Sequence, residues 1–239
     1  MAKKTFKFDN KSSGDFGLFI NGRGVFDSPE PDLEYVSVPG RSGDLIYDNK
    51  RFHNIDVTYP SCFMIAGFRS NFKALQEFML KHKGYYRLED DYLPNHFRMA
   101  SIARAINLED INWVYDSGSF DLTFNCKPQL FLKSGENETE YTDTGSASVI
   151  SNPTSFASKP LLKVYGSGTL TVNDCVIVVA AHNYAYTIID CELMDCYYQG
   201  YNLNQYVTID IFPEFNPGNN TLDIDGITKV GVTPRWWTV

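Results

Sequence analysis

The sequence predicts a mainly β protein with one helix, divided into a β-rich N-terminal domain (residues 1–130) and an antiparallel β-sandwich (residues 131–239). Three observations carry this reading. Phe, Tyr, Val, Ile and Thr are abundant, and these residues suit a pleated surface. Short alternating segments recur between Gly-, Asn- and Pro-containing turns. Only one segment places apolar residues at three-to-four spacing.

Thr5–Asp9 alternates as a short strand, with Asn10-Lys11-Ser12-Ser13-Gly14 as its turn. Phe16–Ile20 is an apolar strand closed by Asn21-Gly22-Arg23-Gly24, and Ser28–Asp32 reads as a loop. Leu33–Val38 is a further strand stopped by Pro39-Gly40, and Phe52–Tyr59 alternates as another. The helix follows a cap at Ser70 or Asn71, with Phe72, Leu75, Phe78 and Met79 on one face. Lys81, His82 and Lys83 fill its last turn, where cations favour the dipole, and Gly84 ends it. A lone amphipathic helix among strands is expected to cover a sheet face or edge.

Tyr85–Leu88 and Phe97–Ile106 are strands, separated by Glu89-Asp90-Asp91 and Pro94-Asn95. Phe120–Cys126 alternates as a half-buried strand that Pro128 ends. From Lys133 to Lys159 large apolar residues become scarce, which puts a junction or a long connection near residue 130. Pro160–Tyr165, Thr169–Val172, Cys175–Ala181, Ala185–Asp190, Tyr206–Phe212, Thr221–Ile224 and Thr228–Val232 then read as the strands of the sandwich. Trp236 and Trp237 are expected to dock as a strand that closes it.

Charge excludes some functions. The net charge is −8, and residues 1–130 hold 16 Lys and Arg against 17 Asp and Glu, whereas residues 131–239 hold 5 against 12. Neither part has the basic stripe that holding nucleic acid by its phosphates requires. The longest apolar run, Cys175–Ala181, is far short of the roughly 20 residues of a membrane helix. No apolar segment follows Lys3-Lys4, so the chain is expected to fold in the cytoplasm of the cell that makes it. Cys62, Cys126, Cys175, Cys191 and Cys196 form no CxxC pair, and free thiols are expected.

Motifs for catalysis, cofactors and metals are weak. Gly40-Arg41-Ser42-Gly43-Asp44 lacks the ending of a phosphate-binding loop. Asp223-Ile224-Asp225-Gly226 hints at a calcium loop but lacks the later Glu, so a strand-ending turn is the better reading. His53, His82, His96 and His182 have no metal-ligand spacing. Glu89, Asp90 and Asp91, or Asp190 and Glu192, are the carboxylates a glycosidase would need, but nothing near them assigns an acid and a base. The expectation is no enzyme, no cofactor and no metal. Tyr184, Tyr186, Tyr197, Tyr198, Tyr201 and Tyr206 are read as half-buried sheet residues first, a protein interface second and a sugar platform last.

Several stretches, in order, resemble the distal tail (Dit) proteins of siphophages. They are Asp15-Phe16-Gly17-Leu18; Val36-Ser37-Val38-Pro39-Gly40-Arg41-Ser42-Gly43-Asp44-Leu45 with Asp48-Asn49; and Lys83-Gly84-Tyr85-Tyr86-Arg87-Leu88-Glu89-Asp90 after the helix. Phe120–Gln129, Asn152-Pro153-Thr154, Ser158-Lys159-Pro160-Leu161, Asp190–Asp195 and Pro234-Arg235-Trp236-Trp237 continue the likeness to the end of the chain.

The resemblance implies a virion tail-tip protein whose N-terminal domain assembles, usually as a homo-hexamer, into a ring coaxial with the tail tube. It also implies a galectin-like C-terminal sandwich outside the ring. The implied partners are the tail tube protein, the tail-associated lysin or baseplate hub protein, and in some members receptor-binding proteins. Pro39, Gly40, Arg41, Asp44 and Asp48 form a rigid turn displaying both charges, read either as an inter-subunit or tube contact or as a solvated turn. A carbohydrate-binding module that attaches the tail to host wall sugars is the alternative.

Overall fold

Asp9 and Asn10 both take the left-handed backbone (φ +46° and +63°), which joins β1 (Phe6–Phe8) to β2 (Lys11–Ser12) in a two-residue turn. Asp and Asn tolerate that region because their short side chains bond locally, and the turn's twist matches the strands it joins. The structure is a computed structural model that describes residues 3–21, 25–63, 68–102, 104, 106, 110–112, 117–143 and 145–239. Gly22–Gly24 of the expected closing turn lie outside them.

The first unit comprises residues 1–130 with Val239. After β1 and β2 come β3 (Leu18–Ile20), β4 (Pro31–Val36), β5 (Leu45–Phe52), β6 (Ile55–Phe63), α1 (Phe68–Lys81), β7 (Tyr86–Asp90), β8 (His96–Ile102), β9 (Asp110–Asn112) and β10 (Ser117–Leu132). Strands run in the order β2-β1-β7-β8-β10-β6-β3, with β9 also against β10, while β4 and β5 pair separately. Phe6, Phe8, Tyr59 and Phe124 meet in the core, with ring centroids 5.3–5.9 Å apart. Leu75 and Met79 of α1 are fully buried against this core, and Phe72 and Phe78 pack at its margin. Each buried side chain of this size contributes about 2 kcal/mol. The apolar stripe thus forms as its spacing predicts. The helix begins at Phe68, however, so Ser70 and Asn71 are inside its first turn rather than capping it.

Two further expectations are corrected. Pro128 does not end its strand: β10 continues to Leu132. Pairing to β6 stops at Ile55↔Cys126, so on that side no donor is required at Pro128. Strand β5 went unpredicted, and Asp48 lies within it rather than in a loop.

The second unit comprises residues 131–238. Its strands are β11 (Thr139–Tyr141), β12 (Ser148–Asn152), β13 (Leu161–Tyr165), β14 (Gly168–Val172), β15 (Cys175–Val179), β16 (Thr187–Asp190), β17 (Asp195–Tyr198), β18 (Tyr201–Asn202), β19 (Val207–Ile209), β20 (Gly218–Asp225), β21 (Lys229–Thr233) and β22 (Trp237–Thr238). Sheet β11-β21-β13-β16-β17-β18 and sheet β12-β20-β14-β15-β19 enclose one core containing Leu162, Val164, Leu170, Ile177, Ile189 and Phe215. The apolar-poor stretch after Lys133 is no bare connection, since it supplies β11 and β12.

The buried Asn220 side chain is hydrogen-bonded on both its oxygen and its nitrogen. Asn220 donates to the carbonyls of Asn216 (2.8 Å) and Gly218 (3.0 Å) and accepts from the Asn216 N–H and Asn173 Nδ2. Trp236 is buried in the core, and its carbonyl accepts the Leu132 N–H at 2.9 Å. Trp237 donates Nε1–H to the Ala157 carbonyl and stacks on Phe156, with ring centroids 4.5 Å apart. Trp236 thus docks into the sandwich core, but the strand that Trp237 begins pairs with β10 and with neither sandwich sheet, so the expected closing strand is corrected.

Candidate assembly surfaces

A two-stranded ribbon has no core of its own, so its apolar side chains stay in water until something covers them. That is the state of the β4–β5 hairpin. Its register pairs Val36↔Leu45, Tyr35↔Ile46, Glu34↔Tyr47 and Leu33↔Asp48, and then shifts before Pro31↔Phe52. Tyr35 is 64% exposed, Ile46 62% and Tyr47 63%; Val36 and Leu45 are exposed as well. The hairpin's base is held by polar contacts. Asp32 accepts from Arg51 Nε at 2.5 Å and lies 3.5 Å from His53 Nε2. The hydrogen bonds from Arg51 and Asn49 hold its carboxyl below the usual range. Asp48 Oδ1 accepts the N–H of Lys50, whose backbone is left-handed (φ +55°).

Pro39, Gly40, Arg41 and Asp44 lie on the exposed tip of this hairpin, where Gly40 (φ +82°) and Gly43 (φ +83°) have nothing within 4 Å of an added Cβ. Asp48 is down the arm on β5, opposite Leu33. The structure therefore places all five on one hairpin without gathering them into a pocket. Sequence reasoning missed the five apolar residues beside the tip. Their signal was present: Tyr35-Val36 and Leu45-Ile46-Tyr47 flank the Pro-Gly turn symmetrically.

The tyrosines of the second unit form a chain of ring contacts. Tyr165 meets Tyr186 (5.6 Å), Tyr186 meets Tyr198 (4.8 Å), Tyr198 meets Tyr184 (5.3 Å) and Tyr184 meets Tyr201 (6.2 Å). Lys163 Nζ lies 4.7 Å from the Tyr186 ring centre and Lys229 Nζ 4.5 Å from that of Tyr165. Lys229 is also paired to Glu140 at 2.6 Å. These ring contacts are tilted or edge-on, and Tyr184 and Tyr201 remain exposed, so the half-buried reading holds for Tyr186, Tyr197, Tyr198 and Tyr206 but not for those two.

The carboxylates considered for catalysis are occupied structurally. Asp190 is buried, takes both ends of the Arg235 guanidinium (2.7 and 2.9 Å) and accepts the N–H groups of Glu192 and Leu193. Burial raises this carboxyl, but Arg235 and the two N–H groups outweigh it and hold it below the usual range. Glu192, by contrast, is exposed, so the two acids do not act as a pair. Asp90 caps the Tyr92 and Leu93 N–H groups and accepts the Tyr59 hydroxyl, while Asp91 accepts the N–H and hydroxyl of Thr5. Asp223 and Asp225 belong to strand β20 and not to a loop. Among the described residues no group of three His, Cys, Asp or Glu is placed to hold a metal, and no helix is long and apolar enough to cross a membrane. Burial pushes the thiols of Cys126, Cys191 and Cys196 up to about 12, which makes them poor nucleophiles.

No sequence-family model matches the chain, and no curated protein matches it significantly. The mainly β fold is nonetheless matched along nearly the whole chain by two solved structures, both of phage proteins. The structure of the Dit (gp 19.1) protein of phage SPP1, described as a paradigm of hub adsorption apparatus in phages infecting Gram-positive bacteria, is similar with a TM-score of 0.76. At 14% identity, the match covers 98% of this chain and 100% of that one. A chain of the phage p2 baseplate in its activated conformation with Sr is similar with a TM-score of 0.55, at 12% identity and 97% of each chain. At such identities the likeness is one of fold.

Proposed function

We propose that this chain is a structural protein of a phage tail tip: a distal tail hub that assembles with copies of itself and links the tail tube to the baseplate. The observation that carries this reading is the likeness to the SPP1 hub protein over both units and the full length of each chain. The hairpin supports it, because five exposed apolar residues on a coreless ribbon suit a surface that is buried on assembly. In this reading residues 1–130 form the ring and residues 131–239 the outer domain, with six copies per ring. A closed ring needs heterologous contacts, and the apolar arm of one copy lying on the body of the next is such a contact. Pro39, Gly40, Arg41, Asp44 and Asp48 act at that contact, the apolar flanks giving affinity and the charges fixing register. The tail tube protein meets one face of the ring and a tail-associated lysin or baseplate hub protein the other, with receptor-binding proteins on the outside.

The sugar-binding alternative is not favoured. The fold likeness extends over both units rather than over the sandwich alone.

Light scattering behind size exclusion, with negative-stain images of the peak, tests the proposal. A species of about 163 kDa, six times the 27.1 kDa chain, with a central hole is the expected result. A chain that remains monomeric alone and also in the presence of the tail tube protein would overturn it.

A further inference from the structure

We infer that one face of the β4–β5 hairpin docks on the solvent side of α1 in a second copy of this chain. The inference rests on the ring proposed above and names the surface on which the arm lies. Directly opposed residues of an antiparallel pair project to the same face. The register therefore puts Glu34, Val36, Leu45 and Tyr47 on one face of the ribbon, and Leu33, Tyr35, Ile46 and Asp48 on the other. Each face carries one acid and three apolar side chains. The acids differ in what they already hold. Asp48 accepts the Lys50 N–H through Oδ1, whereas Glu34 is exposed and has no ion pair among the described residues. The Glu34 face is therefore the one whose acid still lacks a partner.

The helix supplies the complement. Leu75 and Met79 turn one side of α1 to the core, and water should meet a polar surface on the other. Arg69, Lys73, Glu77 and Leu80 follow one another at four, four and three residues, which aligns them along that outer side, and all four are exposed. Leu80 is thus a large apolar side chain 60% exposed in the middle of a charged stripe. Lys73 stands two turns before it and has no ion pair among the described residues. Lys81 borders the stripe, so Glu77 is outnumbered by cations.

The two surfaces agree in length as well as in chemistry. The 6 residues of β4 extend about 20 Å, and the 14 residues of α1 about 21 Å. Docked together, Val36 and Leu45 cover Leu80, while Glu34, two residues along β4, meets Lys73. In the lone chain these apolar side chains all stay in water, so the arm does not lie on its own helix. A patch on one copy meeting a different patch on the next is the heterologous contact that a closed ring repeats. The apolar contact gives affinity, and the ion pair fixes register.

Sedimentation velocity over a dilution series tests the contact, with the tail tube protein added if the wild type assembles only in its presence. The samples are wild type, Glu34→Lys, Lys73→Glu, and an equimolar mixture of the two variants. Each variant alone sets like charges against one another at every contact. Each is expected to half-assemble at a concentration at least about tenfold above that of the wild type. In the mixture, alternating copies restore opposite charges at every contact of a ring of six, so half-assembly is expected within about threefold of the wild type. Mixing would not rescue a folding defect. A mixture no better than its components, or single variants that assemble like the wild type, would overturn the inference and leave the ring standing. A wild type that never assembles would overturn the ring itself, and this contact with it.

Discussion

At the scale of single residues, the second unit concentrates its electrostatics in Asp190 and Arg235. Asp190 is almost wholly buried, and its four hydrogen bonds come from one guanidinium and two backbone N–H groups. Arg235 reaches it from a left-handed backbone position (φ +56°), next to Trp236 in the core. Removing one partner strands a buried charge, which costs more than the pair contributes over an apolar replacement. Arg235→Met is therefore expected to lose about 3 kcal/mol of unfolding free energy at pH 7. The pH dependence has a fixed sign. The folded carboxyl is held below its unfolded value, so the pair's contribution is present above about pH 4 and lost as pH falls through the lowered value. Urea titrations from pH 6 to pH 2.5 should show wild type and Arg235→Met converging at the acid end. A constant gap would mean that the guanidinium acts by packing alone. The first unit has an opposite case: Arg98 is 4% exposed and donates Nη2–H to the Val25 carbonyl, while Nη1 has no hydrogen-bond partner among the described residues.

At the scale of elements, legibility followed burial. The face of α1 could be read because Leu75 and Met79 are buried by one neighbour on one side, which imposes the helical period. Strands β13 to β16 were readable for the same reason, through alternation imposed by the shared core. Strand β5 was not. Leu45-Ile46-Tyr47 precedes Asp48-Asn49-Lys50-Arg51 without alternation, because an arm with both faces in water has nothing to impose a period of two. The tip of the candidate site was legible through its turn residues. The placement of its apolar flanks about that turn was legible too, but their exposure was not, since from sequence alone Tyr35 or Ile46 looks like core. Helix and strand ends depend on single local contacts, hence the misplaced cap at Ser70 and the stop at Pro128. Gly135 is one such contact that can be tested. A Cβ there would lie 2.3 Å from the Trp236 backbone nitrogen, and the Gly135 carbonyl accepts the Arg235 N–H at 2.8 Å. Backbone cannot yield as a side-chain tip does, so Gly135→Ala should cost about 2–3 kcal/mol in the sandwich's unfolding transition, read by denaturant melts.

At the scale of the whole molecule, a fold shared at 14% identity implies that patterning rather than particular side chains specifies the two units. What particular side chains then decide is association. Exposed residues on a coreless ribbon contribute little to the stability of a lone chain, so Ile46→Lys with Tyr47→Glu should change monomer stability by no more than about 0.5 kcal/mol. In the proposed ring the same residues would be covered, and a contact that exists only in the folded assembly stabilises by mass action. For six copies, each tenfold rise in concentration adds about 1 kcal/mol per protomer, which moves the transition of residues 1–130 by roughly 4 °C. Thermal melts across a hundredfold concentration range should thus shift upward in the wild type and stay fixed in the double variant. Because the chain has two units, only the transition of residues 1–130, which carry the hairpin, should move, while that of the sandwich holds still. A shift confined to the sandwich would place self-association on the tyrosine face instead. Equal shifts in wild type and variant would leave the ring but remove the hairpin from its contact.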